Sequence, residues 1–588
     1  MERRYSAEKS VQIVVSLLKQ KGIKKIVISP GTTNIGFVVS VQNDPFFEIY
    51  SCVDERSAAY MACGLAYESG ESVVLSCTGA TASRNYFPAL TEAFYSKLPI
   101  LALTSSQHDS QEGNLSPQYT LRKNPPADTV RHSVTLPIVR NEEDFWDCTI
   151  KVNRALLELK REGGGPVHIN IQTGFGVVVG NLPEVVSIDR VTLGDEFPEL
   201  PSGRIAVFVG YHKKFSPETA AAVEAFAVSH DAVVFCDHTS SYFGQRRFQA
   251  ALLFAQQQLD KSAFMPDLLI HIGQVSGDYC GQGLRPKNVW RVGEDGQIRD
   301  RFKKLTKVFQ MSERSFFEFY TGQNTTQTSE YFDTLVERKQ HLEGKIPDLP
   351  FSTIWAAQVL SQKIPEDCFA YFAILHNLRS FNFFELPAGV ESFSNTGGFG
   401  IDGGVSACVG ASFAARQRLH FCFTGDLAFF YDMNAIGNRD ISGNLRVFLV
   451  NNGLGAEMAL YTSPVYAAVG DEGKRFLCAK GHFAGKSREL VRHYAEDLGF
   501  EYLCAETKDE FLKAAERFCT PVLSEKPMLF EIFTDEQDES DALKIVNNLE
   551  TDAKFMTKLA MEAKSKELAH KILGNKGVKV VKAVLGKE

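Results

Sequence analysis

The sequence lacks the features of a membrane, secreted or nucleic-acid-binding protein. No apolar run reaches the roughly 18 residues that span a bilayer, and the beginning of the chain has no signal-peptide core. The 12 cysteines are scattered singly with no C-x-x-C pair, which fits neither a disulfide framework nor a zinc site. The 63 basic residues are outnumbered by 71 acidic ones, so no overall positive field attracts nucleic acid or anionic lipid. We therefore expect a soluble, cytoplasmic protein that acts on small molecules.

The chain has enough apolar material for several folded domains. It contains 588 residues, of which 44% are hydrophobic and 23% charged, and this composition excludes disorder as the main state. At about 150 residues per domain, the length predicts about four units or three large ones.

Apolar strands alternate with helical segments in three successive blocks. In the first block, residues 6–21 have apolar side chains at helical spacing and precede a strand at 25–28. Further strands are predicted at 72–76, 99–104 and 166–171, then at 204–210, 232–236 and 267–273, and finally at 370–375, 420–424 and 445–450. Short apolar runs separated by helices predict parallel sheets covered on both faces. The predicted fold class is α/β, with three tandem doubly wound domains.

The block boundaries follow from composition. The blocks cover residues 1–185, 190–335 and 350–540, with linker sequence at 324–328 and 347–350. Residues 541–588 are Lys-rich and helical in pattern, which is most typical of a solvated helix and less often of a contact with a partner.

Polar residues follow two successive strands of the third block. Gly425-Asp426 comes directly after one strand, and Asn451-Asn452 comes after the next. Because the carboxyl ends of parallel strands meet at one edge, Asp426 and Asn452 would face one crevice. Their side chains and the backbone carbonyl of Leu454 would give Mg²⁺ three oxygen ligands. Either dipeptide alone, Gly425-Asp426 or Asn451-Asn452, is more typical of a strand end or a turn, but the strand context and the spacing of the two favour the metal site.

Two further segments carry candidate ligand-binding residues. Glu55 begins a helix rich in small residues, where a carboxylate could also serve only to cap the helix. A glycine-rich stretch at 397–404 precedes a second such helix, predicted at 405–416. Its backbone N–H groups can approach an anionic or planar ligand closely, although such turns are common.

Together these segments resemble the thiamine-diphosphate-dependent enzymes of the 2-oxo acid decarboxylase and acetohydroxyacid synthase type. In that superfamily a pyrimidine-binding domain carries the glutamate, and a middle domain separates it from a diphosphate-binding domain with the Gly-Asp to Asn-Asn motif. Within it, the sequence is most similar to the 2-succinyl-5-enolpyruvyl-6-hydroxy-3-cyclohexene-1-carboxylate synthases. The stretches that carry this likeness are Ser29-Pro30-Gly31, Asp54-Glu55-Arg56, 165–170, Gly400-Ile401-Asp402-Gly403, Gly425-Asp426-Leu427 and 431–435. The three blocks then correspond to the pyrimidine-binding, middle Rossmann-like and diphosphate-binding domains.

The resemblance implies thiamine diphosphate and Mg²⁺ as cofactors. Glu55 would be catalytic, since its hydrogen bond to N1′ of the aminopyrimidine would favour loss of the thiazolium C2 proton. The implied cofactor-binding residues are Gly31, Thr78, Asn85, Asn377, Gly398, Ile401, Asp402, Gly425, Leu427 and Ala428. Ile401 is the candidate for the apolar wedge that brings the two cofactor rings together, and core packing explains it equally well. Active sites shared between subunits imply a homodimer, or a homotetramer.

The sequence departs from this likeness where the synthases bind the carboxylates of 2-oxoglutarate and isochorismate with arginines. The family's Ser-Arg is Thr32-Thr33 here, its Asp-Arg-Pro is replaced around 105–108, and its Asn-Arg-Gly is Asn395-Thr396-Gly397. Since an arginine fork binds a carboxylate through two hydrogen bonds, its loss predicts different substrates. The candidate substrate residues are Thr32, Thr33, Gln107, His108, Gln118, His376, Arg379, Thr396 and Glu457. Arg379 or Arg84 could replace a lost carboxylate contact, although an ordinary surface position is more typical of either.

We therefore expect an enzyme that decarboxylates a small 2-oxo acid and transfers the acyl carbanion to a carbonyl or alkene acceptor. This activity is that of a transferase that forms C–C bonds. The alternatives are a lyase that releases an aldehyde and a cofactor-binding relative without turnover.

Overall fold

The computed structural model describes residues 3–121, 124–172, 174–278, 281–323, 330–482 and 486–550. They form two compact units. The first contains the chain up to Phe197 together with Asp295–Gln310, and the second contains Pro198–Glu294 and the chain from Met311 onward. The predicted linker at 324–328 and the predicted Lys-rich extension beyond residue 550 lie outside the described residues.

The first unit is built around a parallel sheet with helices on both faces. Its strands are β1 (Arg4–Ser6), β2 (Lys25–Ile28), β3 (Glu48–Ser51), β4 (Val73–Thr78), β5 (Ile100–Ser106), β6 (His132–Thr135), β7 (Val167–Gln172) and β8 (Val177–Val179). Its helices are α1 (Lys9–Gln20), α2 (Ile35–Gln42), α3 (Glu55–Ser69), α4 (Ala80–Asn85), α5 (Phe87–Tyr95) and α6 (Glu142–Glu158). The order of the six main strands is β3-β2-β4-β5-β7-β6, all parallel, while β1 and β8 form a separate antiparallel pair. One core lies under α1, α2 and α6, and a second lies under α3 and α5.

Local sequence explains the bounds of the helices in this unit. Val11, Val14, Val15 and Leu18 place one apolar face of α1 in the core. Helix α3 begins because the Asp54 carboxylate accepts the Ser57 N–H at 2.9 Å, and it ends at Gly70, whose φ is 67°.

The middle region contributes a second parallel sheet to the second unit and a pair of strands to the first. Its elements are β9 (Asp189–Thr192), β10 (Ile205–Val209), α7 (Pro217–Ser229), β11 (Val233–Cys236), β12 (Arg247–Gln249), α8 (Ala251–Ala255), β13 (Leu268–Ile272), β14 (Asn288–Val292), β15 (Leu305–Gln310), α9 (Glu313–Tyr320) and α10 (Glu330–Glu343). In the second unit, the strands lie in the order β12-β11-β10-β13-β14 and run parallel. In the first unit, β9 and β15 form a parallel pair.

The C-terminal part of the second unit contains the third parallel sheet. Its strands are β16 (Phe369–Phe372), β17 (Glu391–Phe393), β18 (His420–Gly425), β19 (Leu445–Asn451), β20 (Glu501–Ala505) and β21 (Met528–Phe533). Its helices are α11 (Thr353–Leu360), α12 (His376–Asn382), α13 (Gly404–Ala414), α14 (Asp426–Asp432), α15 (Ala456–Ala459), α16 (Pro464–Val469), α17 (Leu490–Asp497), α18 (Lys508–Phe518) and α19 (Glu536–Val546). The strand order is β17-β16-β18-β19-β21-β20, again all parallel.

The predicted α/β fold class is confirmed. Two predicted elements extended three residues beyond the observed ones. The helix expected from residue 6 begins at Lys9, because Ser6 pairs with Val177 in the β1–β8 ribbon. The strand expected at 370–375 ends at Phe372, and Leu375 has a positive φ of 69° that no strand residue adopts. Within the described residues, no helix is long and apolar enough to cross a membrane.

A buried histidine in the second unit predicts loss of stability in mild acid. His238 is buried, and its Nε2–H donates to the carbonyls of Phe381 and Phe384 at 2.9 and 3.1 Å. Burial lowers the pKa of His238 to about 4, whereas an unfolded histidine titrates near 6.5. The unfolded chain then binds the extra proton first, so this contribution to stability is present above pH 6.5 and is lost as the pH falls towards 4, at about 1.4 kcal/mol per pKa unit.

The measurement is the thermal unfolding midpoint between pH 7.5 and 4.5. His238→Gln keeps a donor for the two carbonyls but does not titrate, so its midpoint should fall less over this range. Parallel curves for the two proteins would show that His238 does not contribute to the pH dependence.

Candidate active site

The third sheet has a switch point between β16 and β18. The chain leaves β16 towards β17 on one side and leaves β18 towards β19 on the other. In open parallel sheets, ligands bind in the crevice outside the carboxyl ends of strands at such a point. His376 and Asn377 follow β16, and Asp426 follows β18, so they lie at this edge of the sheet.

The carboxylate of Asp426 connects the carboxyl ends of β18 and β19 through hydrogen bonds. Its carboxylate is 5% exposed and accepts the backbone N–H groups of Leu427 and Gly453, each at 2.8 Å. Burial raises the pKa of Asp426 to about 6, because the charged form loses hydration. The hydrogen bond to Gly453 places the Asn452–Leu454 segment beside this carboxylate.

The residues at this edge fit a hard cation. The side-chain Oδ1 of Asn452 is buried and has no hydrogen-bond partner among the described residues, and Leu454 is buried. One carboxylate, one amide oxygen and one backbone carbonyl suit a Mg²⁺ ion that also binds phosphate oxygens. No cluster of three His, Cys, Asp or Glu side chains suited to a metal occurs in the described part of the chain, so a metal ion here would need further ligands from the phosphates.

Polar atoms without partners among the described residues also occur in the segments that follow β16 and β17. Within the described ranges, Asn377 Oδ1, Ser394 Oγ and Thr396 Oγ1 are buried and have no hydrogen-bond partner. A Cβ atom built on Gly425 would lie 3.7 Å from Asn377 Nδ2, and Gly398 faces open space. Buried polar atoms are normally satisfied, so this edge of the sheet is suited to a polar ligand such as a diphosphate. Of the other residues expected to bind the cofactor, Ile401, Leu427 and Ala428 are half-buried, and Asp402 is exposed.

The first sheet has the same topology, with its switch point between β2 and β4. A Cβ atom on Gly31 would clash with the side chain of Thr78, so this close approach of the backbone requires glycine at position 31. Thr33 Oγ1 donates to the Ser105 carbonyl at 3.1 Å and accepts the Gly79 N–H at 3.4 Å. These contacts bring the ends of β2, β4 and β5 together, as in the third sheet.

Glu55 lies at the beginning of α3, just after β3. The cap of this helix is made by Asp54, so the half-buried Glu55 carboxylate is not needed for capping. Asn85 ends α4 and is exposed. Both residues belong to the first unit, whereas the residues around Asp426 belong to the second.

The candidate substrate residues of the first unit have mainly local contacts. His108 Nδ1 accepts the Ser110 N–H at 3.0 Å and so caps a short 3₁₀ turn. Gln107 donates to the Pro117 carbonyl at 3.5 Å, and Arg84 donates to the Leu121 carbonyl at 2.9 Å. Thr32 and Gln118 are exposed.

Among the candidate substrate residues of the second unit, two form an ion pair with each other and His376 hydrogen-bonds a carboxylate. Arg379 pairs with Glu457, so its guanidinium already has a carboxylate within the chain. His376 Nε2 donates to Glu539 Oε2 at 2.8 Å. Sequence reasoning identified both Arg379 and Glu457 but missed Glu539, because it lies in an acidic stretch that is typical of a solvated helix.

Glu531 was also missed. It is fully buried on β21, where it accepts hydrogen bonds from Asn451 Nδ2 at 2.6 Å and from the Tyr502 hydroxyl at 2.7 Å. Burial raises its pKa to about 7. A charged residue inside an otherwise apolar strand was the available signal.

Comparison with known proteins gives a consistent result. Residues 9–129 match the family model described as "Thiamine pyrophosphate enzyme, N-terminal TPP binding domain". Three similar relatives are all named 2-succinyl-5-enolpyruvyl-6-hydroxy-3-cyclohexene-1-carboxylate synthase. The relative from Bacteroides thetaiotaomicron is 30% identical over 558 residues, covering 92% of this chain and 98% of the relative. That from Bacteroides fragilis is 31% identical over 563 residues with the same coverage, and that from Porphyromonas gingivalis is 27% identical over 591 residues, covering 92% and 97%.

Two of these relatives are at least 30% identical over 92% of this chain. The chain therefore belongs to the family of thiamine-diphosphate-dependent enzymes that contains the 2-succinyl-5-enolpyruvyl-6-hydroxy-3-cyclohexene-1-carboxylate synthases.

Proposed function

We propose that the chain decarboxylates a small 2-oxo acid and joins the remaining acyl unit to a carbonyl or alkene acceptor. The bond to the carboxylate breaks, CO₂ leaves, and the electron pair forms a new C–C bond, after which the acceptor takes up a proton. Bound thiamine diphosphate would supply the electron sink for this chemistry. The observation that carries the proposal is the group of buried oxygens near Asp426, at a sheet switch point, that have no hydrogen-bond partner among the described residues.

We infer separate roles for the two units. In the second unit, Asp426, Asn452 and the Leu454 carbonyl would hold Mg²⁺ on the diphosphate, with Asn377 and the stretch around Gly398 binding its oxygens. In the first, Gly31 and Thr78 would line the pyrimidine pocket and Glu55 would hydrogen-bond the ring nitrogen. The domains would then be 1–185 for the pyrimidine, 190–335 as the middle domain, and 350–540 for the diphosphate.

The absence of arginine at the positions where the similar synthases carry it favours substrates other than the pair of 2-oxoglutarate and isochorismate. Thr32, Thr33 and Thr396 stand where the resembling synthases carry arginine-containing motifs, and a threonine hydroxyl provides neither charge nor a bidentate fork. Arg379 cannot replace them without leaving Glu457, which would then be half-buried without its cation.

We infer that the active form is a homodimer or a homotetramer. Four large apolar side chains around α3 are exposed: Val53 (77%), Tyr60 (48%), Met61 (42%) and Tyr67 (79%). A cluster of this kind beside a candidate catalytic residue is typical of a surface that a second subunit covers. Sedimentation velocity of the purified chain tests this inference, and a monomer at micromolar concentration would contradict it.

The decisive experiment is a screen of 2-oxo acids with the purified chain, thiamine diphosphate and Mg²⁺. CO₂ release is measured with and without carbonyl and alkene acceptors, and the products are identified by mass spectrometry. We expect an acceptor-dependent product that contains the acyl unit. Aldehyde as the sole product would indicate a simple decarboxylase, and no CO₂ from any acid would indicate a relative without turnover.

A further inference from the structure

A buried histidine–glutamate pair lies beside the end of β16. Glu539 is 0% exposed, and besides His376 its carboxylate accepts the Thr353 N–H at 2.9 Å, the Thr353 hydroxyl at 2.8 Å and the Thr534 hydroxyl at 2.7 Å. Burial opposes its charge, but the adjacent His376 and these hydrogen bonds outweigh that effect and lower the pKa of Glu539. Glu539 is therefore an ionised carboxylate in the interior.

This carboxylate fixes the imidazole of His376. Since Nε2 faces Glu539, Nε2 carries a proton and the other ring nitrogen, Nδ1, points elsewhere. A histidine ring nitrogen is a hydrogen-bond donor when it carries a proton and an acceptor when it does not, so Nδ1 needs a polar partner in either case. Yet Nδ1 is buried and has no hydrogen-bond partner among the residues that the structure describes. A purely structural role for the pair accounts for Nε2 and leaves Nδ1 unexplained.

Two other buried side chains of this region, besides His376, also have a polar atom without a hydrogen-bond partner among the described residues. Asn377 is 3% exposed with its Oδ1 unpartnered, and Thr396 is 1% exposed with its Oγ1 unpartnered, within the described part of the chain. The amide of Asn377 lies against Gly425, next to Asp426. His376 therefore begins the segment that lines the switch point of the third sheet.

We propose that the His376–Glu539 pair binds an anionic oxygen through the Nδ1–H of His376. This inference rests on the proposed function, from which two sources of that oxygen follow: a phosphate of thiamine diphosphate or the carboxylate of the 2-oxo acid. A hydrogen bond to this oxygen would satisfy the buried Nδ1 of His376. It also provides a hydrogen-bonding contact for an anion in a site where the guanidinium of Arg379 is paired with Glu457.

The test compares two substitutions in the full chain. His376→Gln keeps an amide donor at the position of Nε2, and so keeps the contact with Glu539, but deletes Nδ1. His376→Asn places an amide near Nδ1 and gives up the contact with Glu539. His493→Gln, on the exposed face of α17, is the matched control. Each protein is titrated by calorimetry with thiamine diphosphate plus Mg²⁺, with thiamine, and with inorganic diphosphate, and the KM of the accepted 2-oxo acid is measured.

We expect His376→Gln to weaken the binding of one of these anions by roughly 10- to 100-fold, the range for a lost hydrogen bond to a charged group. The affinity of His376→Asn should lie between that of His376→Gln and that of the wild type. Weaker binding of both thiamine diphosphate and inorganic diphosphate, with thiamine unchanged, assigns the phosphate. A raised KM alone assigns the carboxylate. Wild-type values for His376→Gln in every titration, or a greater loss for His376→Asn than for His376→Gln, overturn the proposal. If the wild-type chain binds no thiamine diphosphate, the proposed function fails, and the inorganic diphosphate titration still tests His376.

Discussion

Replacing Glu55 with glutamine is expected to lower the rate of CO₂ release by at least about a hundredfold, the lower range for loss of a group that shares a proton in catalysis. Glutamine keeps the size of the side chain and can still hydrogen-bond, but it cannot take or share a proton at neutral pH. Because Glu55 does not cap α3, the helix should remain intact. The affinity for thiamine diphosphate, measured by calorimetry in Mg²⁺, should therefore be nearly unchanged while turnover is lost.

The neighbouring carboxylate provides the control for this substitution. Asp54 caps α3 through the Ser57 N–H, and asparagine is about as good a cap, so Asp54→Asn should keep both stability and turnover. Glu55→Gln with a wild-type rate would remove Glu55 from the mechanism. If Asp54→Asn and Glu55→Gln both lost turnover, the result would instead indicate that the beginning of α3 matters only for folding.

Asp426→Asn is expected to weaken the Mg²⁺-dependent binding of thiamine diphosphate by at least about a hundredfold, since substitution of mere supporting residues around metals already costs about 10- to 100-fold. Asp426 carries the only negative charge among the three proposed ligands, and a divalent cation favours the ionised form that burial alone disfavours. Asparagine keeps one oxygen but removes this charge. Calorimetric titrations of the cofactor with and without Mg²⁺ measure the effect.

Asp432 is a matched control on the same helix. Its carboxylate accepts the N–H and the hydroxyl of Ser406 at 2.6 and 2.5 Å, so Asp432→Asn also disturbs local hydrogen bonds at α14. We expect it to lower thermal stability without changing the Mg²⁺ dependence. Equal losses of Mg²⁺ dependence in both variants would contradict a metal site at Asp426.

The hydrophobic pattern was sufficient to predict most of the buried strands, although the buried β14 and β21 were not predicted. The predicted strand at 25–28 matches β2, and the predicted 420–424 and 445–450 match β18 and β19 within one residue. These strands are buried on both faces, so they appear as continuous apolar runs. By contrast β3, at the edge of its sheet, is exposed at all four residues and has no such run, and it was missed.

The candidate site was only partly accessible from the sequence. Asp426 and Asn452 could be placed together because each directly follows an apolar strand, and the hydrogen bond from Gly453 to Asp426 brings their segments together. Arg379 and Glu457 could be named, but their pairing could not, since 78 residues separate them and no periodicity connects them. That pairing changes the meaning of Arg379 from an open carboxylate contact to an internal one.

The sequence by itself determined most of the buried strands and the alternation of helices and strands, because apolar spacing reflects how each element is covered. It also determined that acidic and amide side chains stand at the ends of particular strands. Tertiary structure alone decided the order of the strands, the position of the switch points, and the contact between His376 and Glu539 across 163 residues. Those features depend on which distant surfaces pack together, and no local pattern of residues encodes that choice.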